Sequence, residues 1–196
     1  QIYIKIRTTE ALEVRAQLKV RENDILVLFA GKLEQVKNPE LLLNAFSNMK
    51  KNNVHLVFVG NGVLEYGLKF KVKNHNIANV YFMNFQNQTQ MPVIYQACDL
   101  FCLPSRSETW GLAVNEAMAC GKAILVSDKV GCAIDLVNDQ NGRVFESENL
   151  VDLSQKLIAL TNDQSTLKKM GENSLELIQN WSFEQQVNAI VSYVNR

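Results

Sequence analysis

Short apolar runs alternate with stretches of helical spacing along most of this 196-residue chain. The apolar runs predict strands at Ile25–Ala30, Val54–Val59, Val80–Met83, Asp99–Leu103 and Ala123–Ser127, with a short strand near Arg143–Phe145. Near-continuous apolar runs of this length are typical of parallel strands that are covered on both faces. The pattern therefore predicts an α/β fold: a doubly wound, Rossmann-like parallel sheet of about six strands with helices on both faces.

Helical periodicity lies between the strands and takes over after the last one. Asn38 and Pro39 are typical of a helix start, and the apolar positions that follow share one helical face: Leu42, Ala45, Phe46 and Met49. Three further helical faces are predicted in the C-terminal part. The first consists of Leu150, Leu153, Leu157 and Ile158, and the second of Leu167, Met170 and Ser174 after a cap at Ser165. The third consists of Val187, Ile190, Val191 and Val194 after a capping box at Ser182–Gln185. We expect one domain over residues 25–196, preceded by a linker or N-terminal helix over residues 1–24.

Composition narrows the class of protein. The chain has 20 Lys and Arg against 20 Asp and Glu, so its formal net charge is +0, which argues against a nucleic-acid partner. No run approaches the roughly 18 consecutive apolar residues of a membrane span. The four cysteines form no CxxC pair, which favours reduced core thiols in a cytoplasmic protein. Because the sequence begins at Gln1, we expect a domain cut from a larger protein.

Ligands of a doubly wound sheet bind beyond the carboxyl ends of its strands. After the first strand, Gly31 permits a tight turn, and Lys32 and Lys37 flank a loop that leads into a helix start, where anions are favoured. This loop is a candidate diphosphate site, and two solvated surface lysines are the alternative. The segment Val59–Gly62 after the second strand lacks the third glycine of a dinucleotide-binding motif, so a turn explains it.

The fourth strand leads into the most informative segment. Glu108 precedes a helix that begins near Gly111 and stops at Gly121, and Glu116 lies inside this helix. A rise of 1.5 Å per residue places the two carboxylates on the order of 10 Å apart, with the free N–H groups of the helix start between them. Such an arrangement suits an elongated ligand with hydroxyl groups at its ends and a phosphate in the middle. A glycosidase carboxylate pair remains open, as does an exposed helix glutamate at position 116.

Two further positions have local interpretations. Asn84 and the adjoining Phe85 follow the third strand, where they form either a site for a nucleobase edge or a plain loop. His55 lies in an apolar strand and is interpreted as a hydrogen-bonded core or edge histidine. No set of His, Cys and Asp residues has the spacing of metal ligands, so no metal site is expected.

Four segments together resemble the donor-binding C-terminal domain of the group 1 glycosyltransferases, also called family 4. They are the segments 29–38, 59–62, 97–105 and 108–121, the last of which contains Glu-x7-Glu with Gly111 and Leu112 inside it. The resemblance implies the two-domain GT-B fold, in which this half binds a nucleotide sugar and an N-terminal half binds the acceptor. It implies a retaining, metal-independent transfer without a cofactor, with a uridine diphosphate sugar as the favoured donor.

The resemblance also assigns roles by position. Glu108 would hold hydroxyls of the transferred sugar as the catalytic carboxylate, and Glu116 would hold the ribose. Lys32 and Lys37 would neutralise the diphosphate, and the segment Thr109, Trp110, Gly111 and Leu112 would contact sugar and phosphate. Base recognition would fall near Asn84 and Phe85. Acceptors in this family are often lipid-linked, so peripheral association with the inner face of a membrane, through the other half, is left open.

Three positions depart from the family pattern: Lys32 stands where arginine is common, Trp110 where phenylalanine is usual, and Asp135 where glutamate is frequent. These departures bear on which donor binds. Two other functions stay open at this point. A GT-B epimerase or phosphorylase would share the sheet and a related carboxylate arrangement, and a non-catalytic dinucleotide- or flavin-binding module would share the strand–helix alternation.

Overall fold

The computed structural model describes residues 6–181 and 183–194. Its sheet consists of β1 Ile25–Ala30, β2 Val54–Val59, β3 Val80–Met83, β4 Leu100–Leu103, β5 Ala123–Ser127 and β6 Gly142–Phe145. Each neighbouring pair is parallel, and the strand order is β3-β2-β1-β4-β5-β6. The winding direction reverses between β1 and β4, which confirms the doubly wound sheet.

Helices pack on both faces of this sheet. They are α1 Thr8–Gln17, α2 Pro39–Met49, α3 Glu65–Asn74, α4 Met91–Ala97, α5 Leu112–Ala119, α6 Ala133–Leu136, α7 Leu150–Leu160, α8 Gln164–Gln179 and α9 Phe183–Val194, with a 3-10 turn at Gln35–Lys37 before α2. Alternate residues of β1 enter different cores: Leu26 and Leu28 pack with α4 and α5, whereas Val27 and Phe29 pack with α2 and α7. Both faces are therefore covered, which explains why these strands are continuously apolar.

Two strand boundaries differ from the prediction by one residue. β4 begins at Leu100, because Asp99 forms a bend whose carboxylate accepts a hydrogen bond from the N–H of Leu26 at 2.7 Å and pairs with Arg15 at 2.9 Å. β6 begins at Gly142, one residue before the predicted Arg143. An added Cβ at Gly142 would lie 2.2 Å from the carbonyl oxygen of Ile124, so the close approach of β5 requires this glycine.

One predicted helix cap keeps its position but lacks a side-chain hydrogen bond, and another lies two residues earlier than predicted. Asn38 precedes α2, but it adopts a left-handed conformation with φ of 50° and its side chain does not cap the helix. The cap of α8 is Asp163 instead of Ser165, since the Asp163 carboxylate accepts hydrogen bonds from the N–H groups of Ser165 and Thr166. A carboxylate can accept several bonds at once, so it takes the capping position ahead of the hydroxyl. The predicted capping box begins at Ser182, which lies outside the described residues.

The two ends of the chain differ in how they pack. Within the predicted segment 1–24, α1 contacts α4 through Ala11, Val93 and Ala97. In α9 the predicted apolar positions Val187, Ile190, Val191 and Val194 are 50% to 74% exposed. No described helix is long and apolar enough to cross a lipid bilayer.

All four cysteines are free thiols, as predicted. Cys98, Cys102 and Cys132 are buried, and Cys120 is half-buried. Burial raises the pKa of Cys98 and of Cys120 to about 12. These thiols are core groups and stay protonated near neutral pH.

Candidate functional site

The loops that follow β1 and β4 meet at the point where the winding of the sheet reverses. The first loop, residues 31–38, leads into α2, and the second, residues 104–111, leads into α5. The N–H of Arg106 donates a hydrogen bond to the carbonyl oxygen of Val36 at 2.8 Å, so the two loops touch directly. This is the position at which parallel α/β sheets bind ligands.

Lys37 and Glu108 form an ion pair across these two loops. Their side chains are 24% and 19% exposed, so the pair is partly shielded and still reachable from solvent. The main chain of Glu108 is fixed by the loop after β5: its N–H donates to the carbonyl oxygen of Lys129 at 3.0 Å, and its carbonyl accepts from the N–H of Gly131 at 2.9 Å. The carboxylate is therefore held in place by its own backbone as well as by the lysine.

Gly111 turns the chain from this loop into α5. Its φ of +101° lies in the left-handed region, and an added Cβ would lie 2.9 Å from a methyl group of Val130. Beyond it, Leu112 begins the helix with its side chain 70% exposed. The first N–H groups of a helix have no intrahelical partner. Gly111 thus brings these donors close to the loop that carries Glu108.

Thr109 and Trp110 connect Glu108 to this helix start. Thr109 is exposed, and its carbonyl oxygen packs so closely on Gly131 that a Cβ there would lie 2.0 Å away. Trp110 is half-buried: its indole N–H donates to Asn115 at 3.0 Å, and its ring lies 5.7 Å from the ring of Trp181, two residues beyond the end of α8. The loop is held by contacts on each side of the glutamate.

A cleft of about 500 Å³ opens at this edge of the sheet. Four of the predicted site residues line it: Gly31, Lys32, Phe85 and Glu116. Lys32 is 76% exposed and lies 3.9 Å from Glu34, so its ammonium group is accessible to a ligand. The cleft therefore joins residues of the β1 loop to residues of α5.

Glu116 lies in the fifth position of α5 and accepts a hydrogen bond from the hydroxyl of Tyr95 at 2.9 Å. Tyr95 belongs to α4 and is only 2% exposed. Burial, followed by the nearby Glu116 carboxylate, raises the pKa of Tyr95 far above its ordinary value. The phenol therefore remains protonated and acts as a hydrogen-bond donor to the carboxylate.

Close backbone packing shapes the far side of the cleft. An added Cβ at Gly60 would lie 2.0 Å from the carbonyl oxygen of Gly31, so the turn after β2 must pass directly over the β1 loop. Asn61 follows, and its side-chain oxygen accepts a hydrogen bond from the N–H of Phe85 at 2.9 Å. Phe85 is 72% exposed, and Asn84 beside it is exposed too. The pair predicted for base recognition thus forms an open loop, of which Phe85 reaches the cleft.

Asn61 and Tyr95 are polar residues of the cleft that the sequence did not assign to the site. Asn61 carried a signal, since it follows a strand, but its turn was interpreted as structure only. Tyr95 carried none, because it occupies an apolar position of a short helix and its ring satisfies the helical pattern. Within residues 6–181 and 183–194, no group of three His, Cys, Asp or Glu side chains is arranged to hold a metal ion. Metal independence stays a prediction.

Comparison with known proteins relates this geometry to a large group of enzymes. The family model described as glycosyl transferases group 1 matches residues 11–177. D-inositol 3-phosphate glycosyltransferase of Gordonia bronchialis is 27% identical over 195 residues, which cover 93% of this chain and 42% of that protein. The chain spans about half the length of the curated relatives it matches.

Two of the solved structures that share the fold illustrate the likeness. Anabaena HepE in complex with UDP and glucose has a TM-score of 0.82 at 22% identity, covering 97% of this chain and 54% of that one. The C-terminal domain of LpcC, a glycosyl transferase group 1 family protein from Francisella tularensis, has a TM-score of 0.75 at 22% identity, covering 90% of this chain and 92% of that one. At these identities the likeness concerns the fold alone.

Proposed function

Because the chain belongs to the glycosyl transferases group 1 family, we propose that it is the donor-binding domain of a retaining, hexosyl-type glycosyltransferase. The donor is a nucleoside diphosphate sugar, with uridine diphosphate as the favoured nucleotide. The similar fold of Anabaena HepE, solved with UDP and glucose, supports this choice of nucleotide. The observation that carries the proposal is the placement of Glu108 and Glu116 on either side of the α5 start, each held by a separate partner.

The carboxylates at the two ends of the site bind hydroxyl groups. Glu108 accepts hydrogen bonds from the transferred sugar, and Glu116, which lines the cleft, accepts them from the ribose. A hydrogen bond to an ionised carboxylate is about twice as strong as one between neutral groups. In this binding mode the Glu108 carboxylate also faces the sugar from which the leaving group departs. Its negative charge then stabilises the positive charge that develops on the sugar.

The diphosphate lies between the two carboxylates. The N–H groups at the start of α5 donate to its oxygens, and the ammonium groups of Lys32 and Lys37 supply positive charge. An ammonium group has three donors, so Lys37 can keep its contact with Glu108 and still bind a phosphate oxygen. These groups stabilise the negative charge that develops on the departing nucleoside diphosphate, without a metal ion or cofactor.

The acceptor belongs to a part of the enzyme outside this chain. The chain spans about half of its relatives, which supports an arrangement in which an N-terminal acceptor domain faces the cleft. The acceptor is a glycan or a lipid-linked sugar. We place the enzyme in the cytoplasm, with peripheral contact to the inner face of a membrane made through that other domain.

Isothermal titration calorimetry of the 196-residue chain with UDP, GDP, ADP and UMP tests the proposal. We expect UDP to bind most tightly and UMP to bind about tenfold more weakly, because UMP lacks the second phosphate. Circular dichroism of the same sample controls for folding. A folded chain that binds none of the diphosphates would refute the donor-binding function.

A further inference from the structure

The hydroxyl of Tyr95 is the feature of the cleft that the family motifs leave unexplained. Tyr95 packs in the core together with Ala30, Val59 and Val114, and its ring meets that of Phe101 edge-on at 5.8 Å. Its ring is therefore fixed by the core, while its hydroxyl reaches the cleft and the carboxylate of Glu116. Because core packing fixes the ring, the hydroxyl offers its hydrogen bond at one place in the cleft, and the carboxylate that accepts it is held there.

The Glu116 side chain depends on such a partner for its orientation, because it lies at an exposed position of its helix. A long acidic side chain on a helix surface samples several rotamers and loses this freedom when it binds a ligand. The Tyr95 hydroxyl donates its hydrogen to Oε2, which restricts the carboxylate before any ligand arrives. A binding group that is ordered in advance loses less entropy on binding.

We propose that Tyr95 is a positioning residue that aims Glu116 at the ribose and thereby makes the site select nucleotides with both ribose hydroxyls. An ionised carboxylate offers about four acceptor positions over its two oxygens. Tyr95 occupies one position on Oε2, which leaves Oε1 and the second position on Oε2 for the 2′- and 3′-hydroxyls. The proposal rests on the donor-binding function given above, which it deepens by assigning the source of ribose selectivity.

The test compares the dissociation constants of UDP and 2′,3′-dideoxyuridine diphosphate, measured by calorimetry. The wild-type chain should prefer UDP by about tenfold or more, the value of one hydrogen bond to a charged group. In Tyr95→Phe this preference should fall about fivefold, because Glu116 is no longer ordered before binding. Affinity for the dideoxy nucleotide should change less than twofold, since the ring of residue 95 and the diphosphate contacts stay in place.

Tyr81→Phe is the matched control. Like Tyr95, Tyr81 has a hydroxyl that is hydrogen-bonded to another side chain. Its partner is His55, whose Nδ1 lies 3.2 Å away and outside the cleft. This variant should keep the wild-type preference for UDP. In the double variant Tyr95→Phe with Glu116→Ala, the loss of preference should equal that of Glu116→Ala alone, because Tyr95 acts through Glu116.

Several outcomes would overturn the proposal. One is a Tyr95→Phe chain that binds UDP with an unchanged preference, and another is an equal loss in Tyr81→Phe. If Tyr95→Phe does not fold, Glu116→Asp serves instead: it keeps the charge but withdraws the carboxylate from the hydroxyl, and a retained preference would count against the proposal. A wild-type chain that binds no diphosphate refutes the donor function itself, whereas UDP binding with unaltered selectivity refutes only the role of Tyr95.

Discussion

Each edge of the sheet carries a polar cluster, and the two clusters differ in how far protein partners satisfy their hydrogen-bonding groups. At the amino edge, Arg21, Asp24, His55 and Tyr81 form what we call the amino-edge cluster. Asp24 and His55 are 3% and 4% exposed, and Asp24 accepts hydrogen bonds from both the backbone and the side chain of Arg21 at 3.0 Å. His55 lies 3.2 Å from the Asp24 carboxylate and 3.2 Å from the Tyr81 hydroxyl.

The carboxyl edge has similar polar groups, but these groups remain accessible to solvent. Here the ion pair Lys37–Glu108 and the hydrogen bond Tyr95–Glu116 are reachable from solvent, and Glu116 lines the cleft. Among the described residues, each carboxylate has one side-chain partner, Lys37 or Tyr95, and it retains acceptor positions for others. We therefore expect the amino-edge cluster, which protein partners close, to serve stability, and the carboxyl edge, which keeps acceptors free, to serve binding. Substitutions at the amino edge should therefore change stability, and substitutions at the carboxyl edge should change binding.

The largest effect is expected from Asp24→Ala at the amino edge. The change leaves the imidazole of His55 and the N–H of Arg21 without their acceptor in a buried site. We expect a loss of about 3 kcal/mol in the free energy of unfolding, measured by urea denaturation, with UDP affinity unchanged. Asp139→Ala, at an exposed carboxylate, is the control and should cost less than about 0.5 kcal/mol. Equal losses in the two variants would break the distinction between the edges.

Glu108→Ala should show the opposite profile. In an active enzyme that contains this domain, we expect sugar transfer to slow on the order of a hundredfold, through loss of a charge-assisted hydrogen bond to the reacting sugar. Stability should change by less than about 1 kcal/mol, because solvent still reaches this ion pair and offsets part of its loss. Glu40→Ala is the matched control, since Glu40 also pairs with a lysine, Lys71, at 3.0 Å but lies on α2. An unchanged transfer rate would remove Glu108 from the site.

Lys37→Ala should weaken binding by a smaller amount. It removes one cation from the proposed diphosphate site and leaves the Glu108 carboxylate without its lysine partner, so we expect UDP affinity to fall about tenfold. Calorimetry measures the change, and Lys71→Ala serves as the control. A UDP affinity within twofold of wild type would show that Lys37 serves only its ion pair.

The smallest effect concerns pH and again belongs to the amino edge. Burial is the main cause that lowers the pKa of His55 below its ordinary value of 6.5. The unfolded chain therefore binds the proton first, so His55 makes the free energy of unfolding fall as the pH drops below 6.5. The contribution of His55 to this fall in the free energy of unfolding cannot exceed about 1.4 kcal/mol per pH unit. The Asp24 pKa is lowered to about 2, so this carboxylate stays ionised and its stabilising effect is lost only below pH 3.8.

Urea denaturation at pH 7.5 and 5.5 checks this expectation. His55→Gln removes the titrating group, so its stability should depend less on pH over that interval than the stability of the wild type. A variant that keeps the full pH dependence would assign the effect to other groups.

Much of the fold could be predicted from the sequence. The bounds of β1, β2, β3 and β5 follow from their apolar runs, because strands covered on both faces exclude polar residues. The family resemblance drawn from four segments, among them the one that contains Glu108 and Glu116, is confirmed by the match over residues 11–177. His55 is hydrogen-bonded in the core, as interpreted. The caps were harder, since Asn38 and Asp163 are both ordinary capping residues and only the backbone conformation separates them.

Contacts within the site could not be predicted to the same extent. Lys37 and Glu108 are 71 residues apart, and no local pattern says that their side chains meet. Strand order brings them together, and strand order is a property of the whole sheet. Tyr95 was missed for a different reason: its ring fulfils an apolar position, so only the direction of its hydroxyl reveals a second role. Side-chain direction at a cleft depends on tertiary packing more than on spacing.

Amide hydrogen exchange of the 196-residue chain, with and without saturating UDP, tests the central claim most directly, because it reports both edges in one experiment. If the carboxyl edge is a donor site, exchange should slow in the segments 30–37 and 108–116 when UDP binds. The segments around residues 21–24, 55 and 81 should exchange at the same rates with and without nucleotide. Slowing confined to the amino edge, or no slowing anywhere, would contradict the account.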